Sequence, residues 1–290
     1  MIYVYRRASS TGARELADAV GGKRFRGRIR PITEQAKRGD VILCWGESLN
    51  PIDGVKILNG AKIQNKYADA KMLQDAGIPT IATAAQKPAA VPQADDAAAK
   101  PVWEEVIEAA EDFIEIPYSR NNPVFIQGIK DFGVLITKLQ QQLAAPLAPQ
   151  AVWLPREFSH VGGADLLHPP AAADYWAKKE NIVEEVRIHS FNGKSIRAGI
   201  KKPREGAQPH AWVRSYDGGW SIAYDGFEST KTQRELAHAA VKALKLDFGA
   251  VDLGKKADGT WIVLEANRAP GLEGGTTAAY ANAVRAWVQA

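Results

Sequence analysis

The stretch LDFGAVDLGKKADGTWIVLEANRAPGLEGG, residues 246–275, decides the fold and the chemistry expected of this chain. Two apolar segments flank a polar turn at 255–259, a pattern that predicts a β-hairpin. Because side chains alternate across a strand, Glu265 and Asn267 are expected on one face. Pairing across the short turn would place Asp252 of the outgoing strand near Glu265 of the returning strand.

Three oxygen-bearing side chains are therefore expected on one patch of the hairpin. Two ionised carboxylates at this distance repel each other unless a cation neutralises them. Two carboxylates and an amide oxygen suit a hard octahedral cation such as Mg²⁺, or Mn²⁺, which keeps positions for water and phosphate. An ordinary surface hairpin with solvated acids is the alternative, and the Asn-Arg-x-Pro-Gly tail that follows weighs against it.

The string FGAVDLG…WIVLEANRAPG resembles the end of an ATP-grasp ligase. In that family an Asp on one strand and a Glu-x-Asn on the next hold the magnesium of ATP. The resemblance thus implies Asp252, Glu265 and Asn267 as metal ligands, with ATP and Mg²⁺ (or Mn²⁺) as cofactors. The fold class expected is α+β, an ATP-grasp fold with a small N-terminal α/β lobe on a parallel sheet and a helical insert.

Composition excludes several other classes of protein. The chain has 290 residues, 37 basic and 33 acidic, and its formal net charge of +4 is too small and too scattered to indicate nucleic acid binding. The single Cys44 excludes an internal disulfide and a multi-cysteine zinc site. With no apolar run as long as a membrane span and no signal peptide visible, the expected location is cytoplasmic.

Four parts are expected along the chain. Alternating strand and helix patterns predict a parallel-sheet lobe over 1–60. The ATP-grasp lid lobe is expected over 61–84 and 150–177, and the catalytic lobe over 178–290. A linker and a helical hairpin are expected over 85–149, a segment that the resemblance does not cover.

The predicted hairpin insert has an acidic, solvated side. Apolar residues recur at helical spacing in two segments within 102–145, so the two helices can bury them against each other. One interpretation is a surface for self-association or for a protein partner with basic groups. The other is a peripheral structural insert.

Two loops at the carboxyl ends of the first predicted strands are candidates for substrate contact, 9–12 and 46–50. Ligands of open α/β sheets bind beyond these strand ends. For 9–12 a helix-capping role is an equal alternative, since Ser and Thr are common caps.

The nucleotide-binding residues come from the family resemblance. Lys66 follows Asn65 in a helix ended by Gly-Ile-Pro, like the segment that opens the ATP-grasp fold, although a solvated lysine is an equal alternative. A strand over 152–158, a Gly-Gly loop and a second strand over 164–167 resemble the family's phosphate lid. The segment 173–178 resembles the hinge that contacts adenine. The full set implied is Lys66, Arg156, Ser159, His160, Gly162, Gly163, Tyr175, Trp176, Ala177, Lys178 and Glu185.

The catalytic residues implied are basic. The run from Glu185 to Lys194 resembles the family's Glu-x-Arg-x-His-x-Phe-x-Gly-Lys strand, which directs Arg187 at the transferring phosphate. A structural ion pair between Arg187 and Glu185 is the alternative. Lys201 or Lys202 is expected to enter the site from the next strand, and Arg214 from an Arg-bearing strand before a Gly-Gly-Trp turn.

The function implied by the resemblance is that of an ATP-dependent, ADP-forming ligase. It would activate a carboxylate as an acyl phosphate and join it to an amine, with amino acid, peptide or protein substrates. The resemblance is to small ligases related to ribosomal-protein and siderophore-type glutamate ligases, including phage-encoded ones. A kinase that phosphorylates a hydroxyl and a non-catalytic nucleotide-binding module are the alternatives. Neither membrane nor nucleic acid is an expected partner.

Overall fold

A computed structural model describes most of the chain, with gaps. The described residues are 1–6, 10–26, 31–88, 151–158, 164–167, 170, 172–272 and 275–290. The chain divides into two compact units, Met1–Lys87 with Trp153–Ala290 and Pro88–Val152. The two helices predicted within 102–145 lie outside the described residues. Among the described helices, none has the length and hydrophobicity needed to cross a bilayer.

The elements alternate between strand and helix at the start of the chain and are mostly strands afterwards. The strands are β1 (Ile2–Tyr5), β2 (Lys23–Phe25), β3 (Val41–Cys44), β4 (Lys56–Leu58), β5 (Thr83–Ala84), β6 (Trp153–Arg156), β7 (Tyr175–Lys178), β8 (Ile182–Phe191), β9 (Lys194–Pro203), β10 (Trp220–Ala223), β11 (Phe248–Lys256) and β12 (Trp261–Asn267). The helices are α1 (Thr11–Ala19), α2 (Ile32–Gln35), α3 (Lys66–Asp75), α4 (Ala164–Leu167), α5 (Lys231–Ala243) and α6 (Thr276–Gln289).

Within the described residues the strands form three sheets. The N-terminal sheet has the order β2-β1-β3-β4 and is parallel throughout. The large sheet has the order β10-β9-β8-β11-β12 and the small sheet the order β5-β7-β6, and both are antiparallel. The parallel N-terminal lobe and the closing hairpin are therefore confirmed.

The N-terminal sheet packs against the large sheet through α1 and α6. Trp45, at the end of β3, stacks on Phe248 with ring centroids 5.3 Å apart and meets Tyr280 of α6 edge-on at 5.4 Å. Helix α1 begins at Thr11 because the Ser10 side chain accepts a hydrogen bond from the Ala13 N–H. The short strands β2 and β4 were not predicted, because three residues give no measurable alternation.

Asn59 joins the N-terminal sheet to the large sheet. It follows β4 in the left-handed conformation, with φ 55°, and only 4% of it is exposed. Its Oδ1 accepts hydrogen bonds from the N–H groups of Asp247 and Phe248, and its Nδ2 donates to the Phe248 carbonyl at 2.7 Å. One side chain therefore satisfies three backbone groups at the start of β11.

We expect Asn59→Ala to lower the free energy of unfolding by about 3 kcal/mol, since it leaves buried polar groups without partners and places a Cβ-bearing residue at positive φ. Urea unfolding measures this change. Asn192 is a matched control because it has φ 45° in an exposed turn, and Asn192→Ala should cost about 1 kcal/mol. Equal losses in the two variants would show that conformation alone matters at Asn59.

The small sheet differs from the prediction in two places. The second strand expected over 164–167 is wrong: Ala164–Leu167 is a helical turn, as suits a segment without β-branched residues. The hinge expected over 173–178 is also misplaced, because Tyr175–Lys178 is the central strand, paired on both edges. The link to the large sheet is the segment 179–181.

The large sheet is covered on one face by α5. Thr230 and Gln233 form a reciprocal capping box at the start of this helix. Its buried Ala237, Ala240 and Val241 pack against Val186 and other apolar side chains of the sheet. The predicted core face of β8 is therefore confirmed, and Glu185, Arg187 and His189 lie on the opposite face.

Candidate active site

The hairpin places the predicted acidic residues opposite each other. In the pair β11/β12, Asp252 is the direct partner of Glu265, as predicted. The register then shifts, so that Leu253 pairs with Val263 and Leu264 is the extra residue of a β-bulge.

Arg187 extends this pair into a row across three neighbouring strands. It is the register partner of Asp252 on the other side, in β8. Since directly opposed residues share a face, Arg187, Asp252 and Glu265 line up on the face away from α5. Asn267 lies beside Glu265 on this face, two residues further along β12. We call Arg187, Asp252, Glu265 and Asn267 the acidic row.

Asp252 is buried and held by two cations. Arg187 donates through Nε and Nη2 to its two oxygens, at 2.6 and 2.7 Å, and the Lys201 Nζ lies 3.5 Å away. Burial would raise the pKa of Asp252, but the charges of Arg187 and Lys201 outweigh burial and lower it. The alternative pairing of Arg187 with Glu185 does not occur, since Glu185 pairs with Lys201 at 2.9 Å.

Glu265 is more accessible, with 32% of its side chain exposed. Its Oε2 accepts from the Lys66 Nζ at 2.7 Å, and its Oε1 accepts from the Asn267 Nδ2 at 2.9 Å. Burial would raise the pKa of Glu265, but the Lys66 ammonium overcomes this and holds the pKa well below its ordinary value. Lys66 and Arg187 therefore offset part of the repulsion between the two carboxylates.

The side-chain oxygens of Asp252, Glu265 and Asn267 fit a divalent ion whose remaining coordination positions are filled by other ligands. No cluster of three or more His, Cys, Asp or Glu side chains that could hold a metal occurs among the described residues. The acidic row offers two carboxylates and one amide, which suits Mg²⁺ completed by water and phosphate oxygens.

A second ion-pair group lies beside the acidic row. Glu185 is 6% exposed and contacts Lys201 as well as Arg214, whose Nε lies 3.9 Å from Oε1. Burial raises the pKa of Glu185, and Lys201 opposes this only in part. Of the two candidate lysines, Lys201 therefore enters the site, whereas Lys202 is exposed.

Arg214 reaches this group from the irregular segment between β9 and β10. The predicted Arg-bearing strand is wrong, since β10 begins only at Trp220. The guanidinium of Arg214 lies over the Trp220 ring at 4.8 Å and donates through Nη2 to the Ile182 carbonyl at 2.8 Å. Stacking and hydrogen bonding therefore fix Arg214 without strand pairing.

A cleft lies between the small sheet and β12, next to Glu265. It is lined by five of the predicted site residues, Lys66, Arg156, Tyr175, Ala177 and Glu265. Backbone alternation explains why Tyr175 and Ala177 are buried on this side.

The side chains of Trp176 and Lys178 alternate to the opposite face of β7, so the structure does not bring them to this cleft. The Lys87 Nζ lies 5.3 Å from the centre of the Trp176 ring, and Lys178 pairs with Glu180 at 3.3 Å.

Arg156 is held by a residue that the sequence did not single out. Its Nε donates at 2.6 Å to Asp165, which is 3% exposed and also accepts from the Glu157 N–H. The sequence feature that could have identified Asp165 is that it is an acidic residue within the otherwise apolar run ADLL. Ser159, His160, Gly162 and Gly163, the predicted phosphate-lid residues, lie outside the described residues.

Another missed pair joins α3 to the segment after the acidic row. Arg268 donates through Nη2 to Asp69 at 2.8 Å. Burial raises the pKa of Asp69, with Arg268 acting against it. Asp69 lies three residues after Lys66 and lines the same cleft, which a helical-spacing argument could have found.

His189 lies two residues after Arg187, on the same face, and is fully buried between two tyrosines. Its Nδ1 is 3.3 Å from the Tyr280 hydroxyl and its Nε2 is 3.1 Å from the Tyr224 hydroxyl. Burial, reinforced by the charge of Arg187, lowers the pKa of His189 to about 3. The imidazole is therefore neutral at physiological pH.

We expect the free energy of unfolding to fall as the pH is lowered from about 6.5 towards 3, because in this window the unfolded chain binds a proton at His189 that the folded chain does not. The contribution of this one residue is about 1.4 kcal/mol per pH unit. Urea unfolding of wild type and His189→Gln across this range isolates it. Parallel pH profiles would contradict a neutral buried imidazole.

The fold matches that of known ligases although the sequence does not. No protein-family profile matches this sequence, and neither does any curated protein. Three solved structures of the ATP-grasp ligase PsnB match nearly the whole chain. A complex with minimal precursor has 12% sequence identity and a TM-score of 0.53, and the match covers 98% of this chain and 98% of that chain. A complex with minimal precursor, Mg and ADP has 12% identity and a TM-score of 0.53, with 99% of this chain and 97% of that chain covered. A complex with a phosphomimetic variant of the precursor, Mg and ADP has 11% identity and a TM-score of 0.51, with 99% of this chain and 98% of that chain covered. The chain therefore has the ATP-grasp fold.

Proposed function

We propose that this chain, with its ATP-grasp fold, is an ADP-forming ligase that activates a carboxylate as an acyl phosphate and joins it to an amine. The observation that supports this most directly is the acidic row, where Asp252 and Glu265 are register partners and Arg187 is the next residue across the sheet. On an ordinary surface hairpin with solvated side chains, two carboxylates and a bidentate arginine are not expected to lie in line beside a cleft.

In this proposal Asp252, Glu265 and Asn267 hold Mg²⁺. When bound, the ion supplies positive charge to the polyphosphate and draws its oxygens into a fixed orientation. Asp252 is already oriented by Arg187, so its carboxylate is fixed before any ligand arrives. Glu265 is partly exposed at the cleft, and it would exchange its partner Lys66 for the ion.

Lys66 and Arg156 are proposed to bind the phosphates of ATP. Lys66 now neutralises Glu265, and a divalent ion at Glu265 would free its ammonium for a phosphate oxygen. Arg156 lines the same cleft, with Asp165 fixing its Nε side. The small sheet, formed by parts of 61–84 and 150–177, is then the lid lobe, with the base beside Tyr175 and Ala177.

Arg187, Lys201 and Arg214 are proposed to stabilise the charge that develops as the phosphoryl group moves to the substrate carboxylate. Carboxylates fix Arg187 and Lys201, while Arg214 is fixed by stacking on Trp220 and by its hydrogen bond to the Ile182 carbonyl. Little reorganisation is therefore needed during the reaction. Exclusion of water between the two sheets would protect the acyl phosphate until the amine attacks. No side-chain nucleophile is required.

The substrates are proposed to be an amino acid or peptide carboxylate and an amine. A screen of ADP release across carboxylates and amines, with mass spectrometry of the products, tests the function. We expect ADP release only when both substrates are present. The product should have the summed mass of the two substrates minus one water. ADP formed with a hydroxyl acceptor alone would identify a kinase, and ATP binding without ADP would identify a binding module.

A further inference from the structure

The N-terminal end of helix α6 has a positive charge beside it that the proposed chemistry does not use. The helix begins at Thr276 after the N-cap residue Gly275, and no side-chain hydrogen bond caps it. Its first N–H groups have no partner within the helix and give this end a partial positive charge. The Arg197 side chain lies against the same end, because a Cβ added to Gly275 would overlap the Nη1 atom of Arg197.

This arrangement of Arg197 is the reverse of what a helix dipole favours. Anionic groups stabilise the N-terminal end of a helix, whereas a guanidinium there adds to its positive charge. Arg197 forms no hydrogen bond or ion pair with the described part of the chain, and its Nε is buried. Its guanidinium carbon lies 4.2 Å from the centre of the Tyr224 ring, which is a neutral partner. A bound anion would satisfy both the guanidinium and the helix end.

Thr276 adds a buried hydroxyl to the same place. The residue is fully buried, and its Oγ1 has no hydrogen-bond partner among the described residues. Tyr280 lies one turn later on the same side of α6, and its hydroxyl is 3.3 Å from His189 of the large sheet. Helical side chains tilt towards the N-terminus, so the Thr276 hydroxyl lies between the helix end and the sheet. We call Arg197, Gly275 and Thr276 the α6 site.

The α6 site adjoins the acidic row. Arg197 is the register partner of His189, and Gly199, two residues further along β9, is the partner of Arg187. Alternation therefore places Arg197 on the face of the large sheet that carries the acidic row. Two residues of a strand span roughly 7 Å, so a group bound at Arg197 is within the length of one amino acid from Arg187.

The charge of the α6 site fits one carboxylate that does not react. A guanidinium and a helix end together supply about one and a half positive charges. Lys201 and Arg214, which are proposed to act on the reacting carboxylate, contact Glu185, two residues before Arg187. Arg197 lies level with the position two residues after Arg187. An anion at the α6 site is therefore on the other side of Arg187 from these two groups.

We propose that the α6 site binds a substrate carboxylate that is not activated in the reaction, such as the one that an amino acid or the C-terminal residue of a peptide carries. This inference rests on the proposed function and specifies a group that one substrate must have. The carboxylate belongs either to the amine substrate or, as a second carboxylate, to the substrate that is activated.

Broadening of the ¹⁹F signal of trifluoroacetate, titrated with the full chain in the absence of ATP, measures carboxylate binding without turnover. Arg197→Gln should weaken binding at least about tenfold, the loss expected for charge-assisted hydrogen bonds. Arg204→Gln is the matched control, because Arg204 also lies over a tyrosine ring, at 4.0 Å, and also has a buried Nε without a partner, but it follows β9 and is not at the α6 site. It should bind within about twofold of wild type. Equal binding by the two variants would overturn the proposal.

Thr276→Val tests the site without removing a charge. It removes a hydroxyl that has no partner in the described fold, so the midpoint of urea unfolding should stay the same or rise. Trifluoroacetate binding should weaken about threefold or more, as expected for one lost hydrogen bond. A lower midpoint with unchanged binding would show that the hydroxyl serves the fold and would contradict its place in the site.

Competition at equal concentration identifies the group and its source. Glycylglycine should displace trifluoroacetate at least about tenfold better than glycylglycinamide, which lacks the carboxylate. Equal displacement by the two would overturn the proposal, as would stronger displacement by inorganic phosphate than by glycylglycine. Stronger displacement by glycine than by succinate assigns the carboxylate to the amine substrate, and the reverse order assigns it to the activated substrate.

Turnover separates this inference from the proposed function. Binding that depends on Arg197, together with no ADP release from any substrate pair, would reject the ligase and leave the α6 site standing. ADP release whose KM values for both substrates are unchanged by Arg197→Gln would reject the α6 site and leave the ligase standing.

Discussion

Glu265→Ala is expected to abolish turnover while leaving the fold intact. Glu265 is the accessible carboxylate of the acidic row and is proposed to hold the metal ion against the phosphates of ATP. Loss of one such electrostatic contact costs on the order of 10²–10³ in kcat. Because a lost metal ligand also weakens occupancy of the ion, we expect ADP release to fall by at least this factor. Calorimetric titration with Mg·ATP should show weakened binding in parallel.

The fold should tolerate this change because Glu265 and Lys66 form a partly exposed ion pair, with 32% and 25% of their side chains accessible. Such pairs contribute about 1 kcal/mol or less. Asp258→Ala is the matched control: Asp258 lies in the turn of the same hairpin, is 59% exposed and pairs with Lys256. Its turnover should equal that of wild type. Near-native turnover in Glu265→Ala would show that Glu265 is not part of the active site.

The closing hairpin could be predicted from the sequence because the residues that determine its pairing are close together in the chain. A polar turn of a few residues fixes the pairing, and alternation then fixes which residues share a face. Those two rules bring Asp252 close to Glu265, and the β-bulge at Leu264, which they do not predict, makes the two residues direct partners. The same reasoning found the buried face of β8, where Val186 and Ile188 enter the core.

The partners of the charged residues could not be predicted, because they are chosen between elements distant in sequence. Arg187 has Glu185 two residues away but pairs with Asp252, 65 residues away, since the two are register partners in adjacent strands. Lys66, the first residue of helix α3, reaches Glu265 across 199 residues through the packing of that helix beside β12. Sequence identifies which residues are charged, whereas strand order decides which of them meet.

The errors concern segments where local propensity and family resemblance disagreed. The resemblance required a strand over 164–167, but Ala and Leu favour a helical turn and the buried Asp165 accepts hydrogen bonds from Arg156 and Glu157 there. Arg214 was expected on a strand, but it lies in an irregular segment and stacks on the ring of Trp220. In both places a local contact holds the arginine, an ion pair with Asp165 for Arg156 and a ring contact with Trp220 for Arg214.

Arg187→Met is expected to destabilise the fold strongly. It removes two hydrogen bonds of 2.6 and 2.7 Å from Asp252, a residue that is only 2% exposed. A buried carboxylate that loses its partner typically costs about 3–5 kcal/mol. Lys201 at 3.5 Å neutralises Asp252 only in part, so we expect a loss near the lower end of this range in urea unfolding.

The pH dependence distinguishes an unpaired charge from lost packing. In wild type the pKa of Asp252 is lowered, so its stabilising contribution is present above about pH 4 and is lost as the pH falls further. Without Arg187, burial dominates and raises that pKa, so the variant gains stability as the pH falls from 7 and Asp252 takes up a proton. The difference between wild type and variant should therefore shrink towards pH 4. A difference independent of pH would attribute the loss to packing.

The double variant Arg187→Met/Asp252→Leu separates stability from catalysis. It replaces the buried ion pair by apolar side chains, which in other proteins is neutral or stabilising, and Lys201 keeps Glu185 as its partner. Stability should recover to within about 1 kcal/mol of wild type. ADP release should not recover, because the ion and the phosphoryl group both lose their contacts in the acidic row. Recovery of turnover with stability would show that Arg187 and Asp252 serve the fold alone.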